Sequence, residues 1–239
     1  MVGLACLLLS VAIVGAQPVT IDFESFIGMT FVSGNPVPAA SQLSSQLLFS
    51  RGLNFSSESA PYVAVVALGS GHATSGINGI GGVDSSGLLS YATPMQIDFF
   101  LPGSPTTPAA TDSVSIRNDL IANGTEPVTL EACDVSGTPL GHVTMIDDHP
   151  FTLSLSAPGI HSVRISEGPS AQAAAFDDFT FNSALIAVPE PSTWALLAVG
   201  VGASVVLRRS RRPSSPLKNA TSRSSRGHEA QISSEKEAI

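Results

Sequence analysis

Between residues 19 and 181 apolar side chains fall on alternate positions in short runs, each closed by Gly, Pro, Ser or Asn. A period of two places successive side chains on opposite faces of an extended chain, so the pattern selects half-buried strands. The runs are 19–23, 28–32, 53–55, 62–68, 95–101, 113–117, 128–134, 142–145, 151–155, 161–166 and 176–181. Within 128–134, Val128, Leu130 and Ala132 share one face, and Thr129, Glu131 and Cys133 share the other. Phe179 and Phe181 share a face in the last run. Strands of this length and spacing predict an all-β domain, an antiparallel β-sandwich of jelly-roll type. One helical stretch, 39–48, sets Leu43, Leu47 and Leu48 in an apolar stripe. Two segments read as loops: 69–87, with 7 glycines in 19 positions, and the Pro- and Thr-rich 102–111.

The two ends follow a different pattern. Residues 4–14 form an apolar run followed by Val14-Gly15-Ala16, small residues where a signal peptidase cuts, so 1–16 reads as a signal peptide lacking the usual basic start. Of the two cysteines, Cys6 leaves with it and Cys133 stays, which excludes an intrachain disulfide in the exported chain. At the other end stand Pro189-Glu190-Pro191, an uncharged apolar stretch 191–207, and Arg208, Arg209, Arg211 and Arg212. Seventeen residues at 1.5 Å each span about 26 Å, the short limit for one transmembrane helix in a lipid bilayer. Trp194 suits one membrane interface, and the arginines suit the cytoplasmic one, leaving the β domain outside.

Charge divides along the same boundaries. Residues 17–189 carry three basic side chains against fifteen acidic ones, and 208–239 carry eight against three. A domain so acidic repels phosphate backbones, which excludes a nucleic-acid partner. The division is then signal peptide 1–16, ectodomain 17–187, C-terminal signal 188–212 and a disordered basic tail 213–239.

The order Pro-Glu-Pro, short apolar helix, Arg cluster resembles the PEP-CTERM protein-sorting signal of exopolysaccharide-producing bacteria, with a tail beyond the arginines that the family usually lacks. The resemblance implies an exosortase-like membrane protease as partner, recognition at Pro189, Glu190 and Pro191, and delivery of the ectodomain to the cell envelope or extracellular matrix. The ectodomain resembles jelly-roll domains akin to carbohydrate-binding modules in its opening Ile21-Asp22-Phe23-Glu24, in Gly52-Leu53-Asn54-Phe55, and in its closing Phe176-Asp177-Asp178-Phe179-Thr180-Phe181. In that wider fold family the first and last strands often share a structural calcium ion. Here the resemblance would assign it to Glu24 and Asp177, with Asp22 and Asp178 as secondary ligands.

Catalytic chemistry finds little footing. No Gly-x-Ser-x-Gly elbow accompanies His72, His142, His149 and His161. Cys133 has no cationic sequence neighbour to activate it. Asp147-Asp148-His149 cannot all face one ion in extended chain. These readings give a non-enzymatic surface protein, the alternatives being an exopolysaccharide-binding module and an envelope hydrolase. For stacking on sugars the ectodomain offers few rings, Tyr62, Tyr91 and Phe100.

Overall fold

The computed structural model describes residues 17–69, 72–121, 126–147, 149–168, 174–183 and 185–188. The signal peptide, Pro189, Glu190, Pro191, Trp194, the arginine cluster and the tail lie outside them. Among the described residues no helix is long and apolar enough to cross a membrane.

The strands are β1 (Pro18–Ile21), β2 (Met29–Thr30), β3 (Gln42–Leu43), β4 (Leu53–Ser57), β5 (Val63–Ala67), β6 (Asn78–Gly81) and β7 (Met95–Leu101). They continue with β8 (Ser104–Ile121), β9 (Val128–Cys133), β10 (Pro139–Met145), β11 (Phe151–Ile160), β12 (Ser162–Glu167), β13 (Ala174–Asn182) and β14 (Ile186–Ala187). The all-β expectation holds. The helical stretch 39–48 does not: a 3-10 turn (Ala39–Ser41), β3 and one helical turn, α1 (Leu48–Arg51), share that region. Gln side chains compete there with helical bonding, since Gln42 Nε2 donates to Val37 O and the Ser44 amide donates to Gln46 Oε1.

Two faces build an open, sandwich-like arrangement. One runs β11–β8–β13; β1 and β6 both pair with the far side of β13, and β5 follows β6 with β2 and β3 on its outer edge. The other runs β10–β9–β12–β7–β4. Pairing is antiparallel except for β2 with β5. The β7–β8 hairpin joins the faces, with Phe100 opposite Pro108 and Leu101 opposite Ser104.

The main core lies between the faces. Phe99 of β7 meets Phe179 and Phe181 of β13 at ring-centroid distances of 6.2 and 5.5 Å, and Phe23 stands edge-on to Phe55 at 6.0 Å. Val114, Ile116 and Leu153 from one face and Leu130, Val163 and Ile165 from the other complete it. Burying each of these rings contributes about 3 kcal/mol at the upper end of the usual range. A second cluster, including Ala64, Val66, Leu89 and Tyr91, covers the outer side of β5. That strand is therefore buried on both sides, which explains its unbroken Val-Ala-Val-Val-Ala sequence.

Both segments read as loops contain strand. Within 69–87, β6 is wholly buried, and its glycines serve contact. A Cβ on Gly79 would lie 2.9 Å from the Phe176 carbonyl oxygen, and one on Gly82, just past β6, would lie 2.0 Å from the Thr93 carbonyl oxygen. Residues 104–111 form the first part of β8, where Pro108 stands opposite Phe100 and its carbonyl oxygen accepts from the Val188 amide.

Candidate functional site

At the end of β1 the chain turns through Asp22, Phe23 and Glu24. Phe23 adopts φ 58, a left-handed conformation that a bulky residue holds only when its surroundings compensate; here its ring is fully buried against Phe55. On β13, Asp178 adopts φ 50, at a register shift between Asp177 and Thr180 against β8. The bulge lets Phe176 and Phe179 both enter the core while Asp177, fully buried, faces the other way.

Over that outer side runs the segment 72–78, which hands its donors to three carboxylates in turn. Thr74 donates to Asp119 through its amide (2.8 Å to Oδ2) and hydroxyl (2.7 Å to Oδ1). Ser75 donates to Asp177 Oδ2 through its amide (3.0 Å) and hydroxyl (2.8 Å). The amides of Ile77 and Asn78 both donate to Glu24 Oε1, at 2.9 and 2.7 Å. The order of residues in the segment thus matches acceptors on two strands and a turn: β8, β13 and the turn after β1. Gly76 lies against the Glu24 carboxylate, where a Cβ would stand 2.3 Å from Glu24 Cδ.

Beside the cluster stands Arg117, whose Nε donates to Asp119 Oδ1 at 2.7 Å. Burial pushes the Asp177 carboxyl above the usual carboxylate range, against the opposing pull of the Ser75 and Asp178 hydrogen bonds. Burial also raises Asp178, helped by the charges of Asp119 and Asp22. Asp22 Oδ1 accepts from the Glu24 amide at 3.3 Å.

The structure therefore brings Glu24, Asp177, Asp22 and Asp178 into one neighbourhood, and adds Asp119, Thr74 and Ser75, which sequence reasoning missed. Yet Glu24 and Asp177 face different parts of the covering segment, and both are turned onto N–H groups. Among the described residues no three acidic, imidazole or thiol side chains gather as a metal site. The arrangement is a carboxylate clasp, in which main-chain amides of 74–78 donate to Asp119, Asp177 and Glu24.

The remaining candidates are dispersed. His161 Nδ1 lies 2.8 Å from the Ala109 carbonyl oxygen, with its ring edge-on to Phe100. His149 Nδ1 lies 3.3 Å from Asp147 Oδ1 on the surface. Burial and the charges of Glu131 and Asp134 raise the Cys133 thiol, the opposite of nucleophile activation. Tyr91 is buried, its hydroxyl donating to Phe31 O at 2.7 Å, so it offers no ring to a sugar. Among the described residues, Phe31 and Phe49 are the phenyl rings that stand exposed.

At the domain's last described residues, β14 pairs antiparallel with β8 and the Val188 amide donates to Pro108 O at 2.9 Å. Residues 187–212 match the family described as PEP-CTERM protein-sorting motif. The chain carries a PEP-CTERM sorting motif. This motif is that of an exported protein processed by exosortase and anchored in the membrane during sorting. No curated protein matches the chain in sequence.

Solved structures similar to this chain include carbohydrate-binding modules. TmCBM61, solved with β-1,4-galactotriose, shares 17% identity at a TM-score of 0.36, over 56% of this chain and 90% of that one. A DUF4465 family protein from Bacteroides caccae shares 13% at 0.37, over 72% and 100%. The CBM22 tandem of Paenibacillus barcinonensis Xyn10C shares 15% at 0.33, over 74% and 47%.

Proposed function

We propose that this PEP-CTERM protein is delivered, after cleavage at Pro189-Glu190-Pro191, to the cell surface or extracellular matrix as a non-catalytic all-β domain. The observation that carries the reading is the position of the sorting motif, which follows directly on the last strand of the domain. Two prolines around Glu190 favour extended backbone, the form a protease takes. The apolar stretch and Trp194 then enter the bilayer, and the four arginines hold the cytoplasmic side.

Mass spectrometry of the mature C-terminal peptide, from membrane and medium fractions of the native host, tests this. The expected end lies within 188–191; an intact end at Ile239 in every fraction would sink the cleavage. A second reading, binding of exopolysaccharide, is supported by the exposed rings of Phe31 and Phe49, since an exposed ring face can stack on the apolar face of a sugar. Retention on matrix glycans that survives Phe31→Ala and Phe49→Ala would remove that support.

A further inference from the structure

The sorting motif begins where the sheet ends. Ile186 stands opposite Ala110 and Ala187 opposite Ala109, and the Val188 amide is held by Pro108 O. Pro189 follows at once, so no spare residue separates the last sheet hydrogen bond from the motif. A protease that takes its substrate as a strand hydrogen-bonds main-chain groups on both sides of the scissile bond. On the amino-terminal side those groups belong to residues 186–188, which β8 already engages. Pairing with β8 and pairing with a protease therefore compete for the same backbone.

The strand is built to give way. Ile186 is 72% exposed and Ala187 is also exposed, so β14 is held by its backbone with little apolar packing. Leu185, the residue before it, packs against the main core and marks where release stops. Peeling 186–188 away frees three residues, about 10 Å of extended chain.

The geometry points to β14 as a latch on the sorting motif: docked on β8 it withholds the cleavage site, and undocked it presents the site to the membrane protease. This inference rests on the reading that the motif is cleaved. The test uses full-length chain carrying Ala110→Cys and Ile186→Cys in a Cys133→Ser background, expressed beside the wild type in the native host with its own exosortase. Directly opposed residues of an antiparallel pair lie close enough to bridge. Conversion of precursor to mature protein is followed by mass spectrometry with the pair oxidised and reduced. The oxidised form is expected to be cleaved at least tenfold more slowly, and inserting six Gly/Ser residues between Val188 and Pro189 is expected to equalise the two. Equal rates without the insertion overturn the latch while leaving sorting cleavage standing; a wild type that is never cleaved overturns both. Should the cysteine pair fail to fold, the insertion in the wild-type chain still decides, because faster processing supports the latch and an unchanged rate overturns it.

Discussion

The amide and the hydroxyl of Ser75 converge on one oxygen, Oδ2 of Asp177, at 3.0 and 2.8 Å. Asp177 is fully buried, so these bonds replace the water that its carboxylate loses on folding. Asp177→Asn turns an amide donor or a poorer acceptor toward Ser75 and is expected to destabilise the chain by about 1–3 kcal/mol. Urea unfolding of the single variants, of Ser75→Ala and of the pair measures their coupling. Effects that simply add would show that the two residues act separately.

Gly76 is the point of closest approach between the covering segment and Glu24. In Gly76→Ala the Cβ must displace the Glu24 carboxylate from the amides of Ile77 and Asn78. The expected loss is about 1–3 kcal/mol, the cost of leaving buried or half-buried polar groups unmet. Amide hydrogen exchange checks the mechanism: Ile77 and Asn78 should exchange faster, while β9 and β12 keep their protection.

Glu167, at the end of β12, follows the inward-facing Val163 and Ile165, and its Oε2 is buried without a hydrogen-bond partner among the described residues. Burial drives its carboxyl well above the usual range. A carboxyl raised by folding binds its proton more tightly folded than unfolded, so stability falls as pH climbs from the ordinary value through the raised one. Asp177 and Asp178 act in the same direction. Asp134 is lowered by its Ser136 and Thr138 hydrogen bonds, so its contribution is lost only at more acid pH. The melting temperature should therefore rise on acidification from about pH 7 to about pH 5. Glu167→Gln should raise it at neutral pH, by about 2–4 °C per kcal/mol gained, and flatten the slope. A variant melting below the wild type at neutral pH would contradict this account.

The amides that already engage Glu24 and Asp177 make a further prediction. Addition of EDTA to the purified chain, followed by submillimolar calcium, should leave the melting temperature unchanged. A drop of several degrees, reversed by calcium, would return Glu24 and Asp177 to the role of ligands.

What was legible in the sequence was whatever depends on a residue's immediate neighbours. Val128, Leu130 and Ala132 alternate with Thr129, Glu131 and Cys133 because one side of β9 meets the core, and that side is written in the strand itself. The Pro-Glu-Pro segment was legible for the same reason, since its chemistry lies along a line. The glycines of β6 misled because a small residue serves close packing as well as looseness, and only the partner, Phe176, decides which. Asp119 escaped notice because it lies out of phase with the core residues of β8. Its burial depends on a segment some 45 residues earlier that folds across it.

The first and last long strands are neighbours: Pro18 pairs with Asn182, and Ile21 pairs with Phe179. This closure sets the timing of folding during export. The sheet cannot be completed until nearly the whole ectodomain has crossed the membrane, and contacts so distant in sequence form slowly. The apolar stretch proposed to enter the bilayer begins only nine residues after Asn182, at Pro191. Under the proposed routing, arrest of the chain and completion of the sheet fall at almost the same moment of synthesis. Until then the apolar strands cross unprotected, a long interval in which the exported chain depends on chaperones or on speed.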